Sequence, residues 1–274
     1  MNKVERFLIF VSRFRNGYEI LDKVKIFLHS ILYIGVYPIN RISFLLFKKI
    51  IIHPKILFTI FKIKNSDGLF ICRDNVDLDI VSENFEYGIR NYFKNFEKGV
   101  FVDVGANIGK YTIMISNQIK DNGKIISVEP HPDNFEILKK NIALNKCKNV
   151  IPLNFACWNK KSTLKLFSHE NQPLLASTIK PSKKYIIVNA NTLDNILKKL
   201  KIKNVDFVKL DVEGAESEVL EGMKNVLKSG KPKIIFEAWT DEYVNRCKKV
   251  LEIYNYKTKQ LDKMYWLGFH DGNS

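Results

Sequence analysis

Three carboxylates follow one apolar run of the sequence. The segment "VKLDVEGAESEVLEGM", residues 208–223, places Asp211, Glu213 and Glu216 within six positions of a chain whose formal net charge is +15. A carboxylate at the end of a buried strand is placed to accept the proton of a weakly nucleophilic hydroxyl. Alternation along the strand sends Lys209, Asp211 and Glu213 to one face, where Lys209 can pair with an acid and keep it ionised. We expect Asp211 to be the base or the hydroxyl-orienting group, with Glu213 next.

The other acids near this segment have structural alternatives. Glu216 and Glu218 would occupy the first turn of the following helix, where the helix dipole favours acidic residues by about 0.3–1 kcal/mol. Two carboxylates this close could also hold a divalent cation that lowers the pKa of a hydroxyl, but no His accompanies them, so we predict no metal site. Glu237, after the apolar "KIIF", is another strand-end acid, which fits either a catalytic role or an ion pair with a Lys.

The loop "DVGANIG" is a second candidate site. Gly105 and Gly109 flank a tight strand-to-helix turn. A dinucleotide fingerprint would require Gly at positions 107 and 110, so that the backbone could approach a pyrophosphate. Those positions hold Asn107 and Lys110. The loop therefore favours a ligand that lacks phosphates but still needs a close backbone surface.

Two acids near this loop favour a nucleoside. Glu129 ends the next predicted strand, 24 positions after Gly105. This is the placement of the acid that binds both ribose hydroxyls in doubly wound sheets. Asp103, just before the loop, could reach an ammonium group directly or through water. A nucleoside without a pyrophosphate that also carries an ammonium group suggests S-adenosylmethionine.

The elements that must position these residues form an α/β pattern. Strand and helix alternate from residue 99, and the apolar, Val-rich strands are typical of a parallel sheet buried on both faces. Strands are predicted at 99–105, 123–130, 149–157, 205–211 and 231–239. An insertion between the third and fourth should form a strand pair and a short helix, and "YKTKQ" and "MYWLGF" a closing hairpin. We predict a Rossmann-like, mostly parallel seven-stranded sheet with an antiparallel final strand, and a ligand site at the carboxyl ends of its strands.

Five segments then resemble a known family. "FVDVGANIGKYT", "ISVEPHPDNFEILKKNIALN", "NANTLDNIL", "VDFVKLDVEGAESEVLEGM" and "PKIIFEAW" are similar, in order, to the motifs of the FkbM family of S-adenosylmethionine-dependent methyltransferases. The resemblance runs from about residue 75 to 240, and "KLDVEGAE" is its most specific element. It implies a class I methyltransferase fold and methyl transfer, typically to a hydroxyl of a sugar, glycolipid or natural product.

The resemblance also implies cofactor-binding residues. Glu129 would bind the ribose, and His131 and Ala156 would lie near the adenine. Asn154 offers no carboxylate to the adenine amino group, and Trp239 stands where many relatives have a His. The residues that would line the methionine part of the cofactor are Asp103, Gly105, Ala106, Asn107 and Gly109.

The first quarter of the chain differs from the rest. Residues 1–64 hold twelve Lys or Arg and three acidic residues, which is +9 of the net +15. They are expected to form two to four short amphipathic helices, broken near Gly17, Pro38 and Pro54. The apolar stretches are too short for a signal peptide or for the roughly 18–20 residues of a membrane span, so no span is expected. We predict an extension at 1–64, a strand and helix lead-in at 65–98 and the methyltransferase domain at 99–274.

Other functions remain open at this point. The basic charge could favour an RNA-modifying or nucleic-acid-binding protein, although the excess lies mostly outside the catalytic domain and no RNA-binding module is recognised. The basic, aromatic extension could instead lie on an anionic membrane and bring the enzyme to a lipid-linked acceptor, or it could pack as a lid. Four widely spaced cysteines without a C-x-x-C pair fit the cytoplasm. The sequence predicts a small-molecule, glycan or glycolipid acceptor. It makes no prediction of the oligomeric state.

Overall fold

The computed structural model describes residues 15–47, 60–168, 176–179 and 182–270. The chain divides into two compact units, Met1–Phe85 and Glu86–Ser274. The first unit contains helix α1 (Ile20–Phe47), the antiparallel strands β1 (Phe61–Lys64) and β2 (Leu69–Cys72), and helix α2 (Asn75–Ile80). The second contains all the candidate site residues.

Helix α1 corrects the expectation of several short helices. It is one helix of 28 residues that continues through Pro38. Pro38 is exposed, and because it has no backbone N–H it donates no hydrogen bond to the preceding turn. Gly17 precedes the helix, and Pro54 lies outside the described residues.

The length and composition of α1 also bear on the expectation that no segment spans a membrane. An 18-residue window has a mean hydropathy of 1.4, which is enough for a span by these two criteria. Buried core helices and signal sequences meet the same criteria. The absence of a span therefore stays a prediction.

The loose alternation of residues 69–81 predicts a strand or hairpin, and only the first part of the segment forms a strand. Strand β2 ends at Cys72, and the Asp74 carboxylate then accepts the backbone N–H groups of Val76 and Asp77, which starts α2. This N-cap satisfies donors that have no partner within the helix. A helical cap thus overrides the loose alternation of "DNVDLDIV".

The second unit is built on a seven-stranded sheet. Its strands are β3 (Gly99–Val104), β4 (Gly123–Val128), β5 (Val150–Leu153), β10 (Phe207–Leu210), β11 (Lys233–Glu237), β12 (Lys257–Gln260) and β13 (Tyr265–Phe269). Their order is β12-β13-β11-β10-β3-β4-β5. Only β13 runs antiparallel to the others, because it pairs antiparallel with both β11 and β12. This confirms the predicted mostly parallel sheet and its closing hairpin.

Apolar cores cover both faces of this sheet. Phe101 and Phe207 stack at 5.5 Å on one face, and Val102 and Val208 pack into the core on the other. Alternate residues of a strand point to opposite faces, which explains the continuous apolar runs. The helices are α3 (Tyr87–Phe93), α4 (Lys110–Ile119), α5 (Pro132–Leu144), α6 (Leu193–Lys199), α7 (Glu216–Glu221) and α8 (Asp241–Glu252).

The predicted strand 149–157 is two strands that belong to different sheets. Strand β5 ends at Leu153, and β6 (Ala156–Cys157) starts a four-stranded sheet. Between them the Asn154 side-chain amide donates to the carbonyls of Glu129 and Pro130, at 2.8 and 3.1 Å. These bonds redirect the chain after β5. The other strands of the second sheet are β7 (Ser162–Ser168), β8 (Ala176–Ser177) and β9 (Tyr185–Asn191), in the order β6-β9-β7-β8, and α6 follows them as predicted.

Candidate active site

The loop after β3 packs directly against the end of β10. Gly105 has φ +79°, and a Cβ there would lie 1.8 Å from the carbonyl oxygen of Asp211. The N–H groups of Gly105 and Ala106 both donate to the carbonyl of Val128, at 2.9 and 3.1 Å. Gly109 begins α4 with φ +94°. The loop therefore presents bare backbone between the ends of three parallel strands, which is the surface that the sequence predicted.

Asp103, the residue before the end of β3, has one carboxyl oxygen without a partner among the described residues. Its side chain is buried, and Oδ2 accepts the Thr112 hydroxyl at 2.7 Å, which also lies 2.7 Å from the Ser127 hydroxyl. The unpaired oxygen is Oδ1. An unsatisfied buried acceptor costs about 1–3 kcal/mol, so the site is suited to an incoming donor such as an ammonium group. Burial raises the pKa of Asp103, and the nearby Lys209 ammonium opposes that shift.

Glu129 lies at the end of β4 and holds two loops together. Its Oε2 accepts the N–H of Asn107 at 2.8 Å, and its Oε1 accepts the N–H of His131 at 2.9 Å. Burial raises its pKa to about 7, although both hydrogen bonds lower it. Each carboxyl oxygen has further lone pairs that could accept ribose hydroxyls. The predicted ribose acid thus also fixes the glycine loop.

The predicted adenine residues have structural roles of their own. The His131 ring accepts the N–H of Asp133 at 3.3 Å and so caps α5. Ala156 is buried in β6 beside Leu166 and Ala190, in the apolar core of the four-stranded sheet. Contact of His131 and Ala156 with adenine stays a prediction.

The buried Lys209 and the partly exposed Asp211 form an ion pair at the end of β10. The Lys209 Nζ lies 2.8 Å from Asp211 Oδ2 and 4.9 Å from the centre of the Tyr111 ring. Burial lowers the pKa of Lys209, but the carboxylates of Asp211, Asp103 and Glu86 raise it more, so the ammonium stays charged. Hydrogen bonds between two charged groups are shorter and stronger than neutral ones, so this bond fixes the Asp211 carboxylate. This is the pairing that strand alternation predicted for Lys209.

The two halves of the candidate site meet at this ion pair. Strands β3 and β10 are neighbours, and Asp103 lies opposite Lys209 in their register. The cofactor candidates on β3 and β4 and the catalytic candidates on β10 are therefore brought to one edge of one sheet.

Glu213 departs from the predicted strand face. Strand β10 ends at Leu210, and Glu213 has φ +59° in the loop that follows, so alternation does not extend to it. Its carbonyl accepts the buried Ser177 hydroxyl at 2.8 Å, which ties the insertion to this loop.

Glu216 has the structural role that the sequence allowed, although its contacts are with the loop. Its Oε1 accepts the N–H groups of Val212 and Gly214, at 3.0 and 3.3 Å. Burial raises its pKa to about 7. The neighbouring Glu218 pairs with Arg246 and so joins α7 to α8.

Glu237, the last residue of β11, has a strongly raised pKa. Burial first, then the negative charges of Asp211, Glu213 and Glu216, raise its pKa to about 9, against a hydrogen bond from Trp239 that lowers it. It is therefore protonated at neutral pH. Strands β10 and β11 are parallel neighbours with Leu210 opposite Phe236, so Glu237 and Asp211 lie at the same end of the sheet.

Three residues of this cleft were missed by the sequence reasoning. The Glu86 carboxylate accepts the hydroxyls of Tyr111 and Tyr265, each at 2.6 Å. The Tyr265 hydroxyl oxygen also lies 3.4 Å from Glu237 Oε1. The result is a polar chain from Glu237 through Tyr265 and Glu86 to Tyr111, whose ring lies beside Lys209. Glu86 and Tyr265 are 179 positions apart in the sequence, so no local pattern could have paired them.

Two further features bear on where a ligand binds. A groove of about 950 Å³ is lined by Asp206, Lys233 and other residues near the starts of β10 and β11, and by residues of α3, β12 and β13. It lies at the amino ends of the strands, whereas ligands of such sheets bind at the carboxyl ends, so we do not assign the cofactor to it. Within the described ranges there is no group of three or more His, Cys, Asp or Glu that could hold a metal ion.

Comparisons with known proteins identify several similar methyltransferases. Among solved structures, the chain resembles methyltransferase FkbM from Methylobacillus flagellatus KT, with a TM-score of 0.46 and 19% identity over 64% of this chain and 44% of that one. It also resembles M. jannaschii TYW2 in complex with AdoMet, with a TM-score of 0.43 and 17% identity over 80% and 86% of the two chains.

Two curated relatives are similar in sequence. The hexuronic acid methyltransferase AglP from Haloferax volcanii is 32% identical, over 48% of this chain and 53% of the relative. Methyltransferase sdnD from Sordaria araneosa is 26% identical, over 50% of this chain and 65% of the relative. The chain thus spans between about half and two thirds of the length of these relatives.

The family model matches the part of the chain that carries the site. It is the methyltransferase FkbM domain, and it matches residues 103–260, more than half of the chain. The matched region starts at Asp103 and includes the glycine loop, Glu129, the ion pair and Glu237. The Rossmann-like class I fold and S-adenosylmethionine as the cofactor, both expected from the sequence, are confirmed. The chain therefore belongs to the FkbM family of S-adenosylmethionine-dependent methyltransferases.

Proposed function

We propose that this chain transfers a methyl group from S-adenosylmethionine to a hydroxyl of a sugar, glycolipid or small natural product. The observation that supports this most is the ion pair between the buried Lys209 and the partly exposed Asp211, which lies against the glycine loop at the carboxyl end of β10. A fixed carboxylate beside a methyl donor is suited to orient a neutral hydroxyl. The hexuronic acid methyltransferase among the relatives supports a sugar acceptor.

The residues around the glycine loop fit the cofactor. The free Oδ1 of Asp103 suits the methionine ammonium, and the lone pairs of Glu129 suit the ribose hydroxyls. Gly105 leaves room for close approach to the backbone, since any side chain there would collide with Asp211. When bound, S-adenosylmethionine supplies a methyl group made electrophilic by its sulfonium.

Asp211 acts mainly as the hydroxyl-orienting group in this proposal. Its ion pair with Lys209 fixes the carboxylate in one position. Methyl transfer is an in-line displacement, in which correct placement of the nucleophile contributes much of the rate. Asp211 therefore accepts the hydrogen bond of the acceptor hydroxyl and aims its oxygen lone pair at the methyl group.

Glu237 is the proton acceptor in this proposal. With a pKa of about 9, its ionised form is a much stronger base than an ordinary carboxylate, although it is scarce at neutral pH. A positive charge entering the cleft lowers the pKa of Glu237 and increases the ionised fraction. Proton uptake by Glu237 as the hydroxyl is methylated returns it to the neutral form that it holds in the free protein.

The insertion contributes to the acceptor side. The hydroxyl of Ser177 is hydrogen-bonded to the loop that carries Glu213, and the neighbouring Thr178 has a buried Oγ1 that finds no hydrogen-bond partner in the described part of the chain. A polyol acceptor supplies hydroxyl groups that can pair with such an atom. We therefore place acceptor recognition on residues 177–178, next to the carboxylates.

The proposal is tested by binding and by product mass. Calorimetry of the purified full chain should detect S-adenosylmethionine and S-adenosylhomocysteine binding. Mass spectrometry of glycans and lipids from cells with and without the protein should reveal an acceptor that gains one methyl group. A methyl group found only on nitrogen would overturn the hydroxyl assignment, and one found only on RNA would overturn the proposed acceptor class, while either result would leave cofactor binding intact.

A further inference from the structure

Helix α1 carries a continuous apolar stripe along its whole length. When the residues of α1 are placed around the helix axis at about 100° per residue, an arc of about 140° contains only apolar residues, Gly and Pro. We define the apolar stripe by Ile20, Val24, Leu28, Ile31, Ile42 and Leu46. Their exposed fractions range from 42% to 82%. A helix of 28 residues is about 42 Å long, so the stripe is an extended apolar surface open to the surroundings.

The opposite arc of α1 is the side that packs against its own unit. Asp22 lies there and accepts the backbone N–H of Lys62 at 3.1 Å, in β1. Ile26 is fully buried, and the His29 ring packs edge-on against Phe61, at 5.3 Å between centroids. A surface helix of a soluble protein normally turns its apolar face to the core and its polar face to water. In α1 the polar residues face the unit, and the apolar stripe faces outward.

Basic residues border the apolar stripe on both sides. Lys23 and Arg41 lie beside one edge of the arc and Lys25 beside the other. Residues 1–64 as a whole carry a net charge of +9. A second copy of the chain would bring these like charges together, whereas an anionic lipid surface complements them. Lys and Arg beside an apolar face are typical of helices that lie in the membrane interface.

We propose that α1 binds an anionic lipid bilayer and lies in its interface, with the apolar stripe among the acyl chains and the basic residues at the headgroups. The contacts of the opposite arc favour a helix that lies in the membrane interface over one that crosses the bilayer. A transmembrane position would place Asn40 and Arg41 in or near the hydrocarbon and would carry the hydrogen bond between Asp22 and Lys62 into it. This proposal concerns the first unit and does not depend on the methyl acceptor.

The test is vesicle flotation with the full chain. We expect it to float with vesicles of phosphatidylcholine and phosphatidylserine, to float less with phosphatidylcholine alone, and to be released by salt. The double variant Ile31→Glu/Ile42→Glu should weaken vesicle binding at least about ten-fold, because two stripe residues no longer enter the acyl layer.

A matched control is the double variant Ile187→Glu/Ile253→Glu. These residues are 68% and 74% exposed in the second unit, and the charge change is the same. The control should float like the unmodified chain, and both variants should keep its circular dichroism spectrum and its S-adenosylhomocysteine binding. Equal loss of flotation in both doubles, or no flotation of the unmodified chain, would overturn the proposal. If light scattering instead shows a dimer that the Ile31→Glu/Ile42→Glu variant alone abolishes, a second copy covers the stripe and the lipid assignment is wrong.

Discussion

Lys209 positions the Asp211 carboxylate, and this pairing decides which substitutions of Asp211 can be interpreted. The Lys209 side chain is buried, and its ammonium pairs with Asp211 and lies over the Tyr111 ring. Truncating Asp211 would leave the buried Lys209 charge without its partner, and such a loss typically costs about 3–5 kcal/mol. Isosteric changes are therefore the informative ones at this pair.

We expect Asp211→Asn to lower kcat by about 10²–10⁴-fold, because the amide cannot hold the acceptor hydroxyl as the carboxylate does. The dissociation constant of S-adenosylhomocysteine should change by only a few-fold. Asp121→Asn, an exposed acid beyond the end of α4, is the matched control and should leave kcat unchanged. Single-turnover kinetics and calorimetry separate the two effects, and an unaltered kcat in Asp211→Asn would contradict the assignment.

Glu237 gives the reaction a distinct pH dependence. Since its pKa is about 9 in the free protein, kcat/KM should rise with pH as the carboxyl ionises, with an apparent midpoint near 9. In the complex, the midpoint seen in kcat should lie lower, because the bound cofactor is positively charged. Glu237→Gln should lower kcat and remove the rise. A profile that keeps its shape in the variant would assign the titration to another group.

At the scale of elements, the glycine loop and the end of β10 are one packed unit. A Cβ at Gly105 would lie 1.8 Å from the Asp211 carbonyl, and φ is +79°, a conformation that favours glycine. Neither the loop nor the strand end can move without the other. The glycine spacing predicted a close backbone surface, but the sequence could not show which element would be the neighbour.

Gly105→Ala should lower stability by at least about 1–3 kcal/mol and weaken S-adenosylhomocysteine binding, because both strain and a backbone collision must be relieved. Gly35→Ala in α1 is the control, since a Cβ there meets nothing within 4 Å. That change should be neutral or stabilise by about 1 kcal/mol, as Ala is the better helix former. Urea unfolding measures the stability of the two variants, and calorimetry measures their S-adenosylhomocysteine binding. A Gly105→Ala variant that binds and unfolds normally would refute the close packing.

At the scale of the whole molecule, buried acids make stability depend on pH. Glu129 and Glu216 both have folded-state pKa values of about 7, raised by burial from an ordinary value of 4.5. Below pH 4.5 each carboxyl is protonated in the folded and unfolded states. Between about 4.5 and 7 the folded protein keeps protons that the unfolded chain has released, so stability falls as pH rises. Above 7 both states are ionised and this contribution levels off.

Each of these acids should therefore cost about 3 kcal/mol of stability between pH 4.5 and 7. Glu129 and Glu216 together produce this slope of the unfolding free energy with pH. Glu216→Gln should remove about half of it over that window. Glu221→Gln, at the exposed end of α7, should leave the slope as it is. Urea denaturation from pH 5 to 8 measures both variants. A slope that is identical in the Glu216→Gln variant and the unmodified protein would mean that Glu216 ionises normally.

The sequence predicted the sheet well because its parallel strands are continuous apolar runs. It predicted that Lys209 pairs with an acid because alternation continues one residue past the end of β10, to Asp211. It failed where the fold brings distant residues together, as with Glu86 and Tyr265. It also failed where one side chain redirects the chain, as Asn154 does after β5. The cytoplasmic location and the oligomeric state stay untested.

The crowding of carboxyl groups around one buried ammonium has a consequence for turnover. Methyl transfer converts a sulfonium into a neutral thioether, so the cofactor loses a positive charge inside the cleft. If the bound cofactor lowers the pKa of Glu237, then ionised Glu237 must in turn bind the cofactor more tightly than neutral Glu237 does. Proton uptake by Glu237 during methyl transfer removes this attraction together with the sulfonium charge. We therefore expect the preference of the cleft for the cofactor over its product to grow as the pH rises toward 9.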